Sequence, residues 1–133
     1  AGISCLDLNE HITEIFSTEQ IIPSVGQGVI AIQCRSDDKD IEEILQKINH
    51  EKTFKCVQAE RSVLKILEGD CQTAVGAISL IKDNNITLEA ELFSLDGKER
   101  FYCKSSKDIK YAAELGIEIG ENLKKQSKGN YKK

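Results

Sequence analysis

The chain has 133 residues, 40% hydrophobic and 30% charged, the balance of an ordinary folded domain and not of a disordered or fibrous chain. Its net charge of -4 argues against a nucleic-acid surface, which requires a clustered excess of lysine and arginine. No stretch approaches the roughly 20 apolar residues of a membrane helix, and no charged-then-apolar leader opens the chain, so a cytosolic or organelle-matrix setting is expected, without nucleic-acid or membrane partners.

Residues 1–22 mix apolar and polar side chains without a sustained period. The chain starts at Ala1 and enters mid-pattern, which suggests a piece of something longer. Pro23 opens the loop Pro-Ser-Val-Gly-Gln-Gly, and Val29 to Cys34 follows as a β-branched apolar run that reads as a buried strand over about 28–35, ending at Arg35. Ser36-Asp37-Asp38 is a helix-start signal. Ile41, Ile44, Leu45 and Ile48 then form the stripe of an amphipathic helix over 39–49.

A second helix is expected over 52–68, with Phe54, Val57, Leu64 and Leu67 on its apolar face. Glu60 falls within that face and Arg61 borders it. A buried carboxylate needs a partner, and Arg35 is a candidate counter-charge, so these three read as structural or interface residues. Gly69 is a helix stop able to take the left-handed cap conformation, which leaves Cys71 in the loop beyond.

From Thr73 the pattern changes to strands, expected over 74–82, 86–94 and 98–104, with turn chemistry at Asp83-Asn84-Asn85 and Asp96-Gly97. Ile86, Leu88, Ala90 and Leu92 alternate with Thr87, Glu89, Glu91 and Phe93, as in a strand with one face on a core. Ser105-x-x-Asp108 resembles a capping box leading into a last helix over 107–125. The fold class is therefore α+β, a three-stranded antiparallel sheet covered by helices, over residues 38–126. Residues 1–37 form a separate leading segment, and 127–133 a basic, solvated tail.

Cys5, Cys34, Cys56, Cys71 and Cys103 are odd in number and irregularly spaced, which suits neither a disulfide framework nor a paired-ligand zinc site. Reduced thiols and no metal are expected. A free cysteine is most often a small buried hydrophobe, but the loop position of Cys71 sets it apart from the other four. Gly26-Gln27-Gly28 could offer backbone N–H groups and an amide to a ligand carboxylate, although such a turn by itself is ordinarily only a strand entry.

Four segments together carry a resemblance. Pro23 to Gly28 running into Gln33-Cys34-Arg35, and Ala59-Glu60-Arg61 followed by Leu67-Glu68-Gly69-Asp70-Cys71, resemble in order and spacing the motifs of the porphobilinogen deaminases (hydroxymethylbilane synthases). The departures are Gln33 for the commoner glutamate, Asp70 for a second glycine, and Thr73-Ala74 for Val-Pro. An aspartate beside the thiol disfavours its thiolate.

The resemblance implies the third, cofactor-bearing domain of that enzyme, with 1–37 the tail of the second domain and a crossing strand of the first. It implies a dipyrromethane primer held by a thioether at Cys71, with Gln27 and Gly28 near its carboxylate arms. It further implies a transferase of tetrapyrrole and haem biosynthesis that condenses four porphobilinogen molecules into hydroxymethylbilane with loss of ammonia. Sulfur suits the attachment because it is a strong nucleophile toward an electrophilic azafulvene. The family's catalytic aspartate and most of its substrate-neutralising arginines lie in its first two domains, so no catalytic residue is expected here. This chain alone is expected to be inactive, with a free thiol at Cys71. Two other readings remain: a non-catalytic α+β interaction module using an exposed sheet edge, and a thiol enzyme pairing Cys71 with His50, which nothing in the sequence brings together.

Overall fold

Period-two alternation builds the sheet. In the computed structural model, which describes residues 2–69 and 73–132, strands β1 (Val75–Lys82), β2 (Asn85–Phe93) and β3 (Arg100–Asp108) form an antiparallel sheet in that order. Asp83 at φ 56° and Gly97 at φ 69° supply the left-handed residues of the two connections. On one face Ile86, Leu88, Ala90 and Leu92 are fully buried. On the other, Glu89 pairs with Lys104 and Glu91 with Arg100, each at 2.7 Å. The α+β class and the buried face of β2 are as the sequence reads, whereas the other face is only partly open to water and Glu91 on it is 7% exposed.

Helices α3 (Glu51–Leu67) and α4 (Ala112–Ser127) cover the apolar face, and their mutual packing is set by small residues. A Cβ on Gly116 would lie 2.1 Å from the Ala59 carbonyl oxygen, and one on Gly120 would lie 2.8 Å from Ile66 Cβ. The buried stripe of α3 is accordingly Ala59, Glu60, Val63 and Leu67. Of the expected face only Leu67 is buried, and Phe54 is 55% exposed. The close approach of α4 selects the side with the smallest residues, not the bulkiest.

The last helix begins later than the sequence suggests. Ser105 to Asp108 remain in β3, with Ser105 opposite Leu88 and Asp108 opposite Asn85, so no capping box forms. Asp108 instead caps a 3-10 turn (Ile109–Tyr111), its carboxylate accepting the Lys110 N–H at 3.0 Å.

The amino-terminal third differs most. A short helix α1 (Gly2–Cys5) and a 3-10 turn (Asn9–His11) lie where no element was expected. Residues 28–35 form no strand. The bridge to β1 lies before them, between Ser24 and Gly76, and Ile30 and Ile32 are 91% and 60% exposed. A strand needs a neighbour for its N–H and C=O groups, and none lies beside this segment among the described residues. Helix α2 (Lys39–Ile48) forms as expected, with Asp38 accepting the Ile41 N–H, but Ile41, Ile44 and Ile48 stay exposed.

The carboxyl end is not a solvated tail. Tyr131 is 2% exposed, and its hydroxyl donates to the Leu67 carbonyl at 3.1 Å. Burial of the ring in the main core outweighs the polarity of its neighbours.

Candidate functional site

The Gly26-Gln27-Gly28 turn is held from three sides. Gln27 N–H closes it onto the Ser24 carbonyl at 3.0 Å, and the Ala77 N–H donates to the Pro23 carbonyl at 2.9 Å, tying the segment to the edge of β1. Gly76 permits this approach, since a Cβ there would stand 2.8 Å from the Ile22 carbonyl oxygen. Gly26 and Gly28 take φ of 70° and 78°, conformations that glycine adopts without a steric penalty. The third tie is Glu60. Its carboxylate reaches across from α3 and accepts the Gly26 N–H on Oε2 and the Ser79 N–H on Oε1, both at 2.9 Å.

Glu60 is thus satisfied by backbone, not by Arg35. Burial raises its pKa above the ordinary glutamate value, and the N–H donors of Gly26 and Ser79 offset part of that rise. Arg35 lies on the surface, paired with Asp38 at 3.0 Å and with Asp37 at 4.0 Å. Arg61 is exposed on the outer side of α3, in an open groove of about 570 Å³ shared with Phe54, Val57 and Leu64. The structure therefore brings Glu60 to the Gln27 turn and leaves Arg35 and Arg61 apart from it. Gln27 and Gly28 are exposed, with open space where a Gly28 side chain would stand.

Cys71 lies outside the described residues, as does Asp70. The helix end that leads to it is defined. Gly69 N–H donates to the Leu64 carbonyl at 3.0 Å and Glu68 N–H to the Lys65 carbonyl at 3.2 Å, the double closure of a Schellman motif. The left-handed position is taken by Glu68, φ 52°, and not by Gly69. A Cβ on Gly69 would stand 2.5 Å from Leu64 Cδ1, the end of a side chain that can rotate aside. That same position is 3.5 Å from Thr73 Cβ, so the chain leaves and re-enters the described fold at neighbouring points.

The four described cysteines are free, and burial raises the pKa of the Cys56 and Cys103 thiols. Sequence reasoning missed Ser79 as the second donor to Glu60, because serine on the apolar side of β1 carries no motif. It also missed Tyr131, whose one signal was an aromatic residue in a basic tail.

Two family models match this chain: the porphobilinogen deaminase C-terminal domain over residues 54–125, and the porphobilinogen deaminase dipyromethane cofactor binding domain over residues 1–43. The chain belongs to the porphobilinogen deaminase family. Relatives named porphobilinogen deaminase include those of Desulforamulus reducens, 40% identical over 123 residues, and Chloroherpeton thalassium, 37% identical over 125 residues. That of Coxiella burnetii is 34% identical over 126 residues. These alignments take in 92%, 91% and 95% of this chain and 40%, 40% and 41% of the relatives. The chain thus spans about 40% of the length of the curated relatives it matches. The α+β domain seen here corresponds to the family's C-terminal domain.

Proposed function

We propose that this chain is the cofactor-bearing portion of a hydroxymethylbilane synthase, which joins four porphobilinogen molecules head to tail, releases ammonia at each step and liberates hydroxymethylbilane. The observation that carries the reading is the Leu-Glu-Gly-Asp-Cys run at the carboxyl end of α3, within a chain matched by both the C-terminal and the cofactor-binding family models. Cys71 is the thioether attachment point, and the bound dipyrromethane supplies a primer that is not consumed. The residues present suit that group. Gln27 offers its side-chain amide and Gly28 its backbone N–H in open space, and Glu60 fixes their turn to the core. Arg35, Glu60 and Arg61 serve structure and interfaces.

Arginines for the substrate's carboxylates are few. Of the three arginines in the chain, Arg35 and Arg100 are already paired with carboxylates. Charge neutralisation and proton transfer therefore fall to the preceding domains that longer relatives carry, together with which this portion works in a cytosolic or organelle-matrix setting. Residues 1–37 belong with those domains, which supply the neighbour that 28–35 lacks here.

The test is intact mass. A longer polypeptide containing this chain gains the mass of a dipyrromethane and its colour with an aldehyde reagent, and Cys71→Ser loses both. Retention of the modification in Cys71→Ser, or its appearance on Cys34 or Cys56 in a peptide map, refutes the assignment.

A further inference from the structure

Val29, Ile30, Ala31 and Ile32 are apolar at consecutive positions, not at alternate ones. A sheet with one wet face asks for alternation, as in β2, whereas an unbroken apolar run suits a strand covered on both faces by helices. Here the run lies open to water, with Val29, Ile30 and Ile32 all exposed. Helix α2 follows after a short turn and is in the same condition. Ile41, Ile44 and Ile48 form one stripe, 41%, 54% and 65% exposed, and no residue of α2 is buried. Helix α3 starts afresh. Asn49 and His50 are extended, at ψ 128° and 95°, and the His50 side chain accepts the Thr53 N–H, so α2 does not continue into α3. Ala59, Val63 and Leu67 of α3 enter the core, and no residue of α2 does.

We infer that residues 29–34 and α2 are one strand–helix unit of the portion of the polypeptide that precedes the α+β domain: the strand pairs within a sheet there, and the isoleucine stripe of α2 packs on that sheet's face. The domain boundary then falls at Asn49–His50 and not at residue 37. The inference rests on the proposed reading only for the presence of that preceding portion. Two observations name it as the occupant. The cofactor-binding family model runs through residue 43, into α2, and the C-terminal model starts at residue 54, inside α3. The chain also takes in only 40% of the length of its relatives, which leaves ample chain to build a sheet. Consecutive elements pack beside one another, so a helix joined to a strand by a short turn folds back on the sheet that holds the strand.

The experiment compares this chain with a longer polypeptide that contains it, by hydrogen exchange read with mass spectrometry and by thermal unfolding. In the isolated chain the amides of 29–34 exchange at close to the rate of an unstructured peptide. In the longer polypeptide they slow by about a hundredfold or more, because they are then paired. Ile44→Asp puts a charge on the stripe. It is expected to lower the midpoint by less than about 1 °C in the isolated chain, where the side chain already meets water, and by roughly 5 °C or more in the longer polypeptide, where the carboxylate is buried unpaired. Glu43→Ala, on the opposite side of α2, leaves both midpoints within about 1 °C of wild type. Exchange of 29–34 at the same rate in both polypeptides, or an Ile44→Asp loss of the same size in both, overturns the inference. Exchange in the isolated chain that slows with rising concentration, together with a dimer in sedimentation, also overturns it, because the occupant is then a second copy. Neither readout involves Cys71 or a bound cofactor, so a longer polypeptide that fails the mass test can still show the protected strand, and the two failures are separable.

Discussion

Gly116→Ala sets two effects of opposite sign against each other. Helix propensity alone makes alanine better than glycine inside α4 by about 1 kcal/mol. The structure opposes it, because the new Cβ would stand 2.1 Å from the Ala59 carbonyl oxygen and 2.6 Å from Ser62 Cβ. An ordinary carbon–oxygen contact is roughly 3.2 Å or more, so α4 must retreat by about 1 Å from a backbone atom that cannot rotate away. Retreat loosens the fully buried Val63, Leu115 and Leu123 along the same interface. Overpacking of this kind typically destabilises by about 1–3 kcal/mol before relaxation of the surrounding core is counted, so sterics exceed propensity. Because the obstruction is a backbone oxygen the cost falls at the upper end of that range, and a net loss of about 2 kcal/mol is expected, which lowers the thermal midpoint by roughly 5–10 °C in a domain of this size. Gly120→Ala is the internal comparison. Its Cβ would be 2.8 Å from Ile66 Cβ, an atom fixed to the backbone of α3, and 3.2 Å from the Val63 carbonyl oxygen, so α4 must retreat here too, but by less than at Gly116. Thermal or urea unfolding followed by circular dichroism should place wild type highest, Gly120→Ala below it and Gly116→Ala lowest. A Gly116→Ala midpoint at or above wild type would falsify the account of how the two helices pack.

Glu60→Ala removes the acceptor of two backbone N–H groups; water can reach Gly26, but Ser79 is 7% exposed, so a loss of about 1–3 kcal/mol is expected in urea unfolding. Glu60 also predicts a pH dependence. Its folded carboxyl holds the proton to higher pH than the unfolded chain, so the unfolded state binds fewer protons from the ordinary glutamate value of 4.5 upward. Wild type should therefore lose stability relative to Glu60→Gln as pH rises through that value and level off once the folded carboxyl is ionised; a difference that grows in the other direction contradicts the burial argument. Incubated with porphobilinogen, the purified chain should form no hydroxymethylbilane, and measurable product would refute the division of labour between this portion and the rest of the enzyme.

Local pattern determined a good deal. The alternation in β2 specified a sheet with one buried face, because the two-residue repeat of a strand leaves no other arrangement of Ile86, Leu88, Ala90 and Leu92. Helix α2 was legible from its Asp38 cap and its periodicity and α3 from its periodicity as a helix, and the motifs around Gln27 and Cys71 pointed to the family. Long-range contacts decided the rest. Which side of α3 is buried depends on Gly116 and Gly120 of α4, some 50 residues away in sequence. The extent of β3 depends on Asn85 pairing with Asp108, so a capping-box signature became strand. Glu60 had to find a partner, but that it would be two backbone N–H groups and not Arg35 follows only from how the turn docks on β1. Tyr131 and Lys132 close on the end of α3 across 64 residues. Residues 28–35 carry strand propensity without a strand beside them among the described residues. Propensity and periodicity act over a few residues and are written in the sequence, whereas close approach, hydrogen-bond pairing and burial depend on which distant segment arrives, and that is settled only when the chain has folded.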